Sequence, residues 1–313
     1  MNQTDALRNF AAQQAGVTLD RPATLAQPAA RPPMTSVTIA ATGEQYYPGH
    51  IEGMTDIDLL ANARQYGLFV RLLSDPGCGK SRMVMAAFGS ELITQVFSEG
   101  TAEEDVIGGW TPTDTAGRFE FRDGPLTRAM REGRPWLGDE INAANPRVLT
   151  ALNGVFDGRL ELRLPTGELV KAADGFYAVV AYNHHAAGFE LSQAMRSRFV
   201  LRVEVRSNLD AAKEIGVSSG LLATATRMRT LYEQHLRSYD GLRDDPEAGE
   251  EPSPWMPQMR ELVASRQITE AFGERVAARN LLGIASEEGA YPQLLAALTN
   301  AIGEGLSQPL VIE

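Results

Sequence analysis

Four groups of side chains in this sequence could do chemistry together, and the first is SDPGCGKS, residues 74–81. A loop that wraps a phosphate in backbone amides needs glycines for close approach, a lysine for charge and a hydroxyl for a metal ion. The pattern that supplies them is Gly, four residues, then Gly-Lys-Ser/Thr. Pro76, Gly77, Cys78, Gly79, Lys80 and Ser81 fill its later part, whereas Ser74 stands where the pattern opens on glycine. If position 74 requires a left-handed backbone, a residue with a Cβ costs about 1–2 kcal/mol there. That amounts to about tenfold in affinity, a weakening rather than a loss.

The second group is Asp139-Glu140, at the end of the apolar run in RPWLGDE. Successive strand side chains point to opposite faces, so one carboxylate can support Mg²⁺ beside Ser81 while the next addresses an attacking water. Alone, an Asp-Glu pair is an ordinary strand end; its weight comes from being the second of two expected parts. Third comes Asn183, the last residue of FYAVVAYN. Its amide can orient a water near a γ-phosphate, or it merely starts a turn. Arg196 and Arg198, in AMRSRF, precede another apolar run. Arginines that reach a neighbour's phosphate contribute about 10³–10⁵ in rate in the best cases. Two solvated arginines are the plainer alternative.

These groups need elements to hold them. LFVRLL (68–73) is a short apolar run leading into the loop, and KSRMVMAAF (80–88) has helical character. Strand, glycine loop, helix is the context a phosphate loop requires. Further apolar runs are ELITQVF (91–97), RPWLGDE (134–140), GFYAVVAYN (175–183) and RFVLRVEV (198–205), with helical stretches such as NPRVLTALNGVFDG (145–158) between them. That alternation predicts an α/β fold: a mainly parallel sheet with helices on both faces. In such sheets ligands bind beyond the carboxyl ends of the strands, where the loop and the acidic pair both fall.

The spacing of Leu59, Leu60 and Ala63 predicts a helix in 54–67 capped by Thr55. RLELRLPTGELVKA (159–172) alternates around Pro165-Thr166-Gly167 and predicts a hairpin. Residues 1–16 are expected to form a short helix, and the Pro/Ala-rich 21–34 a linker or extended arm. After residue 208 the strand signals stop and helical patterning takes over. The acidic YDGLRDDPEAGEEPSP (239–254) interrupts it as an expected exposed loop.

Composition sets limits. The chain of 313 residues has room for more than one folded unit, and 43% apolar residues suffice for a core. No apolar run approaches the ~18 residues of a membrane helix. MNQTDALRNFAAQ has neither basic patch nor apolar core of a leader, and one cysteine fits a reducing compartment, so a cytoplasmic protein is expected. A net charge of −11 disfavours nucleic acid and anionic lipid as partners. His184-His185 lacks a second metal-ligand spacing and reads as turn residues. Cys78, inside the loop, is not read as a redox switch; Trp110, Trp136 and Trp255 read as packing residues, and Gly138 as a small residue that removes no chemical group.

SDPGCGKS, the long segment from IGGWTPTDTAGRFEFRDGPLTRAMREGRPWLGDEIN through NPRVLTALNGVFDGRLEL, YNHHAAG and AMRSRF together resemble the core of MoxR-type AAA+ ATPases. The similarity is to the branch with activators of rubisco and of nitric-oxide reductase and the gas-vesicle ATPase. It covers roughly residues 50–270, and five ordered elements agree. The resemblance implies a sheet of order 5-1-4-3-2, inserted β-hairpins, a C-terminal helical lid and a ring of six subunits that uses ATP and Mg²⁺. Carried over by position, Lys80 would contact the β- and γ-phosphates, Ser81 and Asp139 would serve the metal, and Glu140 would activate water. Asn183 would be sensor 1 and Arg198 the finger reaching a neighbour's nucleotide, with Arg196 a second candidate. Arg260, in WMPQMRELVASR, would be the lid's sensor 2 arginine. GRFEFRDG (117–124) and 159–172 would be hairpins lining a pore.

The domain organisation that follows is an arm and linker (1–40), a nucleotide-binding α/β domain (41–208) and a helical lid (209–313). The expected function is ATP hydrolysis that remodels or activates a client protein. Related ATPases often work with a von Willebrand factor A-domain adaptor. Two other readings stay open: a nucleotide-gated assembly protein with little turnover, and a DNA-handling AAA+ protein, against which the acidic balance counts.

Overall fold

The apolar run FYAVVAYN becomes the strand around which the rest is arranged. Residues 177–181 within it are all fully buried, so this strand is covered on both faces. That explains why its sequence is continuously apolar rather than alternating. In a computed structural model that describes residues 35–115, 117–183, 191, 193–240, 255–303, 305, 306 and 308–310, it is the centre of a five-stranded sheet. Numbering only the sheet strands, these are β1 (Val70–Ser74), β2 (Ile93–Val96), β3 (Pro135–Asp139), β4 (Tyr177–Asn183) and β5 (Leu201–Glu204). All pairings are parallel and the order is β5-β1-β4-β3-β2, as expected. The expected helix 1–16, the arm 21–34, the two histidines and residues 241–254 lie outside the described residues.

One face of the sheet buries Leu72, Leu137 and Val179 against Leu60 of α1 (Asp56–Gln65) and Met83 and Val84 of α2 (Lys80–Phe88). Helix α1 starts at Thr55, whose Oγ accepts from the Asp58 amide at 3.0 Å while Asp58 reaches back to the Thr55 amide. Such a reciprocal cap satisfies two amides that the first turn otherwise leaves open. The other face buries Trp136, Ala178 and Val180 against Met130 of α4 (Pro125–Glu132) and against Phe156 and Phe199, whose rings lie 5.0 Å apart. Each fully buried large side chain contributes ~1.5–3 kcal/mol.

Gly138 turns out to be required by packing. A Cβ there would stand 2.6 Å from the Trp136 ring, which folds over this position. The helical stretch 145–158 is broken into α5 (Pro146–Ala151) and α6 (Asn153–Phe156). Gly154 in α6 lets the Glu161 carbonyl approach to 2.9 Å of where a Cβ would sit.

Two hairpins project from this core, and α3 (Glu103–Ile107) leads into the first. Gly108–Pro112 pairs with Phe119–Asp123, and Glu161–Arg163 with Leu169–Lys171. Trp110 corrects the expectation that all three tryptophans are packing residues. It is 57% exposed, touching Phe121 edge-on, whereas Trp136 is buried. After α7 (Gln193–Arg198) and β5, the described residues are helical: α8 (Leu209–Ile215), α9 (Ser219–Asp240), α10 (Met259–Phe272), α11 (Glu274–Glu287) and α12 (Tyr291–Ile302). They enclose their own core, with Leu221, Met228, Leu262, Leu281 and Leu294 buried together. Helix α9 runs through Tyr239 and Asp240, so the first two residues of the expected acidic loop are helical instead. No helix among the described residues is long and apolar enough to cross a membrane.

Candidate functional site

Strands β1 and β4 end side by side, with Ser74 opposite Asn183, and β3 ends on Asp139 two rungs away. The loop after β1 then turns through Gly77 and Gly79, at φ +89° and +101°, values that glycine adopts without a Cβ clash. Gly79 caps α2 and no side chain closes that end. The amides of the first turn and the positive end of the helix dipole therefore face the loop's cavity, which suits an anion.

Lys80 opens α2 and is buried, with its ammonium held by two strand ends. Nζ donates to Ser74 Oγ at 2.6 Å and to Asn183 Oδ1 at 2.7 Å. Burial lowers its pKa from the ordinary 10.5, opposed in part by neighbouring negative charge, Asp139 included. Ser81 Oγ donates to Asp139 Oδ2 at 2.5 Å, so hydroxyl and carboxylate already share one small volume. Both are hard oxygen donors. Mg²⁺ is held in phosphate sites by one or two such groups plus water and substrate oxygens, so this pair fits that ion. Among the described residues no trio of His, Cys, Asp and Glu is placed to hold a metal unaided.

Position 74 does not have the conformation that would penalise serine. Ser74 is the last residue of β1 and is not among the residues with positive φ. It is buried, donates to the Asp75 carbonyl at 2.6 Å, and accepts the lysine. The anticipated strain cost is absent. What separates the two acids also differs from the expected strand alternation. β3 stops at Asp139, and Glu140 turns out of the sheet with a left-handed backbone, φ +55° and ψ +36°. Its amide donates to Asp139 Oδ1 at 3.1 Å while its carboxylate is exposed to the cavity.

The far wall comes from α10 and its approach. Arg260 lines the cavity, and its amide donates to the Gly77 carbonyl at 3.2 Å. Sequence reasoning missed Gln258, which is buried at the start of α10. Its Oε1 accepts from Cys78 Sγ at 3.0 Å and from Ser207 Oγ at 2.7 Å, and Ser207 Oγ in turn accepts the Met259 amide. Cys78 is thus a buried donor whose pKa burial pushes up, in keeping with its reading as no redox switch. The contact is close: a Cβ on Gly77 would lie 3.2 Å from Arg260 Cβ and 3.3 Å from Gln258 Cβ.

A third wall was also missed. Tyr46, Tyr47 and Gly49 line the same cavity of about 480 Å³. Asp56 fixes them, accepting from the Tyr46 hydroxyl at 2.6 Å and from the Gly49 amide at 2.8 Å. Burial raises the pKa of Asp56, and these hydrogen bonds work against that rise. The strands around this strap are two residues long, too short to show a period. Its one sequence signal is the Tyr-Tyr-Pro-Gly turn at 46–49. The arginines of α7 are elsewhere. Arg198 donates to Asn153 Oδ1 at 2.9 Å, and neither it nor Arg196 lines the cavity that holds Lys80.

Comparison with known proteins agrees with this geometry. The AAA domain of the dynein-related subfamily matches residues 70–199. An uncharacterized protein of Staphylococcus haemolyticus is 39% identical over 139 residues, 42% of this chain and 53% of its own. Another of Staphylococcus epidermidis is 45% identical over 83 residues, 26% of this chain and 32% of its own. YojN of Bacillus subtilis is 34% identical over 142 residues, 43% of this chain and 47% of its own. The chain spans a third to about half of the length of these curated relatives. A crystal structure from Cytophaga hutchinsonii aligns over 78% of this chain and 79% of its own, at 14% identity and a TM-score of 0.42. The part of this chain that is similar to the AAA domain, residues 70–199, runs from the first residue of β1 to the end of the segment that carries Arg198.

Proposed function

We propose that the chain is an ATP-hydrolysing, MoxR-type AAA+ subunit that works in a ring and remodels or activates a client protein. The observation that carries this reading is the convergence of Lys80, Ser81, Asp139 and Asn183 at three adjacent strand ends, beside an open helix start. In this reading Lys80 leaves Ser74 and Asn183 to meet the β- and γ-phosphates of ATP, and the loop amides from Gly77 to Ser81 hold the remaining phosphate oxygens. Ser81 and Asp139 would hold Mg²⁺, which supplies charge neutralisation for the phosphates. Glu140 accepts the proton of the attacking water, Asn183 orients that water, and Arg260 reports the nucleotide to the helices after residue 208, which act as the lid. Arg198 or Arg196 completes a neighbour's site. The exposed aromatic hairpin at Trp110 and Phe119 faces the client, and a von Willebrand factor A-domain adaptor is the partner type in keeping with the resemblance.

Steady-state phosphate release with a fluorescent-nucleotide titration tests it. Glu140→Gln keeps ATP affinity and loses turnover by about 10²–10⁴, the usual weight of a general base. Lys80→Ala loses binding as well. Undiminished turnover in Glu140→Gln sinks the assignment.

A further inference from the structure

Helix α4 fastens the first hairpin at its start and the second at its end. At the start, the base of the first hairpin closes on Gly108 and Gly124. A Cβ on Gly108 would stand 2.3 Å from the Arg122 carbonyl oxygen, and one on Gly124 would stand 2.4 Å from that of Val106. Only glycine lets backbones approach so closely. Thr127, buried in the first turn of α4, adds a hydrogen bond to the Ile107 carbonyl at 2.6 Å. At the other end, the Met130 carbonyl accepts the Ala173 amide at 2.7 Å, just past the second hairpin. A Cβ on Gly133 would lie 2.2 Å from the Asp174 carbonyl oxygen. Two residues after α4 the chain enters β3, the strand that ends on Asp139.

Arg131, on the last turn of α4, spans the gap between the two hairpins. Its Nη1 and Nη2 donate to Glu168 Oε1 and Oε2, both at 2.8 Å, while Nε pairs with Asp123 Oδ2 at 2.8 Å. Asp123 is the last residue of the first hairpin, and Glu168 stands at the turn of the second. A single exposed ion pair contributes about 0–1 kcal/mol, but a forked guanidinium that engages two carboxylates is the geometry that fixes a position. Without Arg131 those carboxylates would repel each other. The second hairpin already buries Leu162, Leu164 and Val170 in the core that holds Met130 of α4. Arg131 extends that grip to its turn and across to the first hairpin.

We propose that Arg131 is a positioning residue that joins the two hairpins through α4 into one body, linked by β3 to Asp139. A displacement of either hairpin is then carried to the other and to the end of β3, and by reciprocity a ligand held at Asp139 is felt in both hairpins. The joining of the hairpins is independent of what the site binds. The link to a nucleotide rests on the ATP reading above.

Amide hydrogen exchange of the full chain tests it, with β4 as the internal control for folding. Arg131 is exposed, so Arg131→Gln leaves no cavity and β4 exchanges as before. Both hairpins, 108–112 with 119–123 and 161–171, exchange about threefold to tenfold faster in that variant. The decisive readout is crossed. Asp123→Asn speeds exchange in the second hairpin, and Glu168→Gln speeds it in the first, because each carboxylate steadies the guanidinium that holds the other. If each of these variants affects its own hairpin alone, Arg131 makes two separate surface contacts and the inference falls. The second arm adds Mg²⁺ and ATP. Exchange changes in both hairpins of the unaltered chain, and in Arg131→Gln the change at 161–171 shrinks at least threefold while ATP affinity stays the same. ATP that binds without altering either hairpin, or alters both equally in Arg131→Gln, overturns the link to Asp139. A chain that binds no ATP overturns the nucleotide reading, and the crossed exchange without nucleotide then decides the joining of the hairpins by itself.

Discussion

The Lys80 ammonium rests 2.6 Å from the hydroxyl of Ser74, the residue that stands where a phosphate loop ordinarily has its first glycine. Far from being a defect, the serine parks the lysine in a buried, hydrogen-bonded position. Ser74→Gly therefore removes an acceptor and relieves no strain. A hydrogen bond to a charged group contributes about 1.5–3 kcal/mol, so the variant melts several degrees lower while its ATP affinity stays within about tenfold. Differential scanning calorimetry and nucleotide titration check both parts. A higher melting temperature would place strain at Ser74 after all.

The same burial gives a pH signature of opposite sign in binding and in stability. Lys80 has its pKa lowered from 10.5, so between that lowered value and 10.5 the unfolded chain binds more protons than the folded one. Its contribution to stability thus rises with pH across that window. Phosphates favour the charged lysine, so ATP binding takes up a proton there and weakens as pH rises. Calorimetric titration in buffers of different ionisation enthalpy detects the proton uptake. Lys80→Arg, whose guanidinium stays charged, abolishes it.

Cys78 and Gln258 meet across 180 residues of chain, which couples the phosphate loop to the helices beyond residue 208. Cys78→Ala and Gln258→Leu each lower stability, and the double variant loses less than the sum. A coupling of about 0.5–1.5 kcal/mol is expected for one such hydrogen bond. Cys78→Ser, which keeps a donor, retains most of it. Additive effects in denaturant melts would reduce the contact to simple packing.

Mixing two inactive chains tests whether the arginines of α7 act across an interface. Lys80→Ala offers an intact arginine without a working pocket, and Arg198→Ala the reverse. Mixed rings recover part of the ATPase activity, and the same mixture with Arg196→Ala shows which arginine is the finger. No recovery from either mixture, in rings shown to be mixed, makes both arginines structural; the Arg198 contact with Asn153 would then be its purpose.

Much of this was legible in the sequence because it is local. The strand runs, the Thr55 cap, the hairpin at Pro165-Thr166-Gly167 and the glycine loop are each encoded within a few neighbouring residues, and the structure places them as read. The rest depends on meetings between distant segments. Gln258 carries no motif, and only its approach to Cys78 and Ser207 gives it a role. The Tyr46–Gly49 strap owes its place to Asp56, which local pattern shows merely as the start of a helix. Trp110 is a large apolar residue that burial statistics send inside, yet the hairpin holds it out. Gly138 looked like an omission until the Trp136 ring filled the space above it.

The left-handed backbone at Glu140 has a consequence for how this chain would change under selection. A side chain in that conformation costs about 1–2 kcal/mol that glycine avoids. With Glu140 as the general base of the proposed reaction, a library sorted only for heat resistance would drift toward glycine or asparagine at this position and return sturdy, silent proteins. On that proposed role, persistence and turnover pull the same codon in opposite directions.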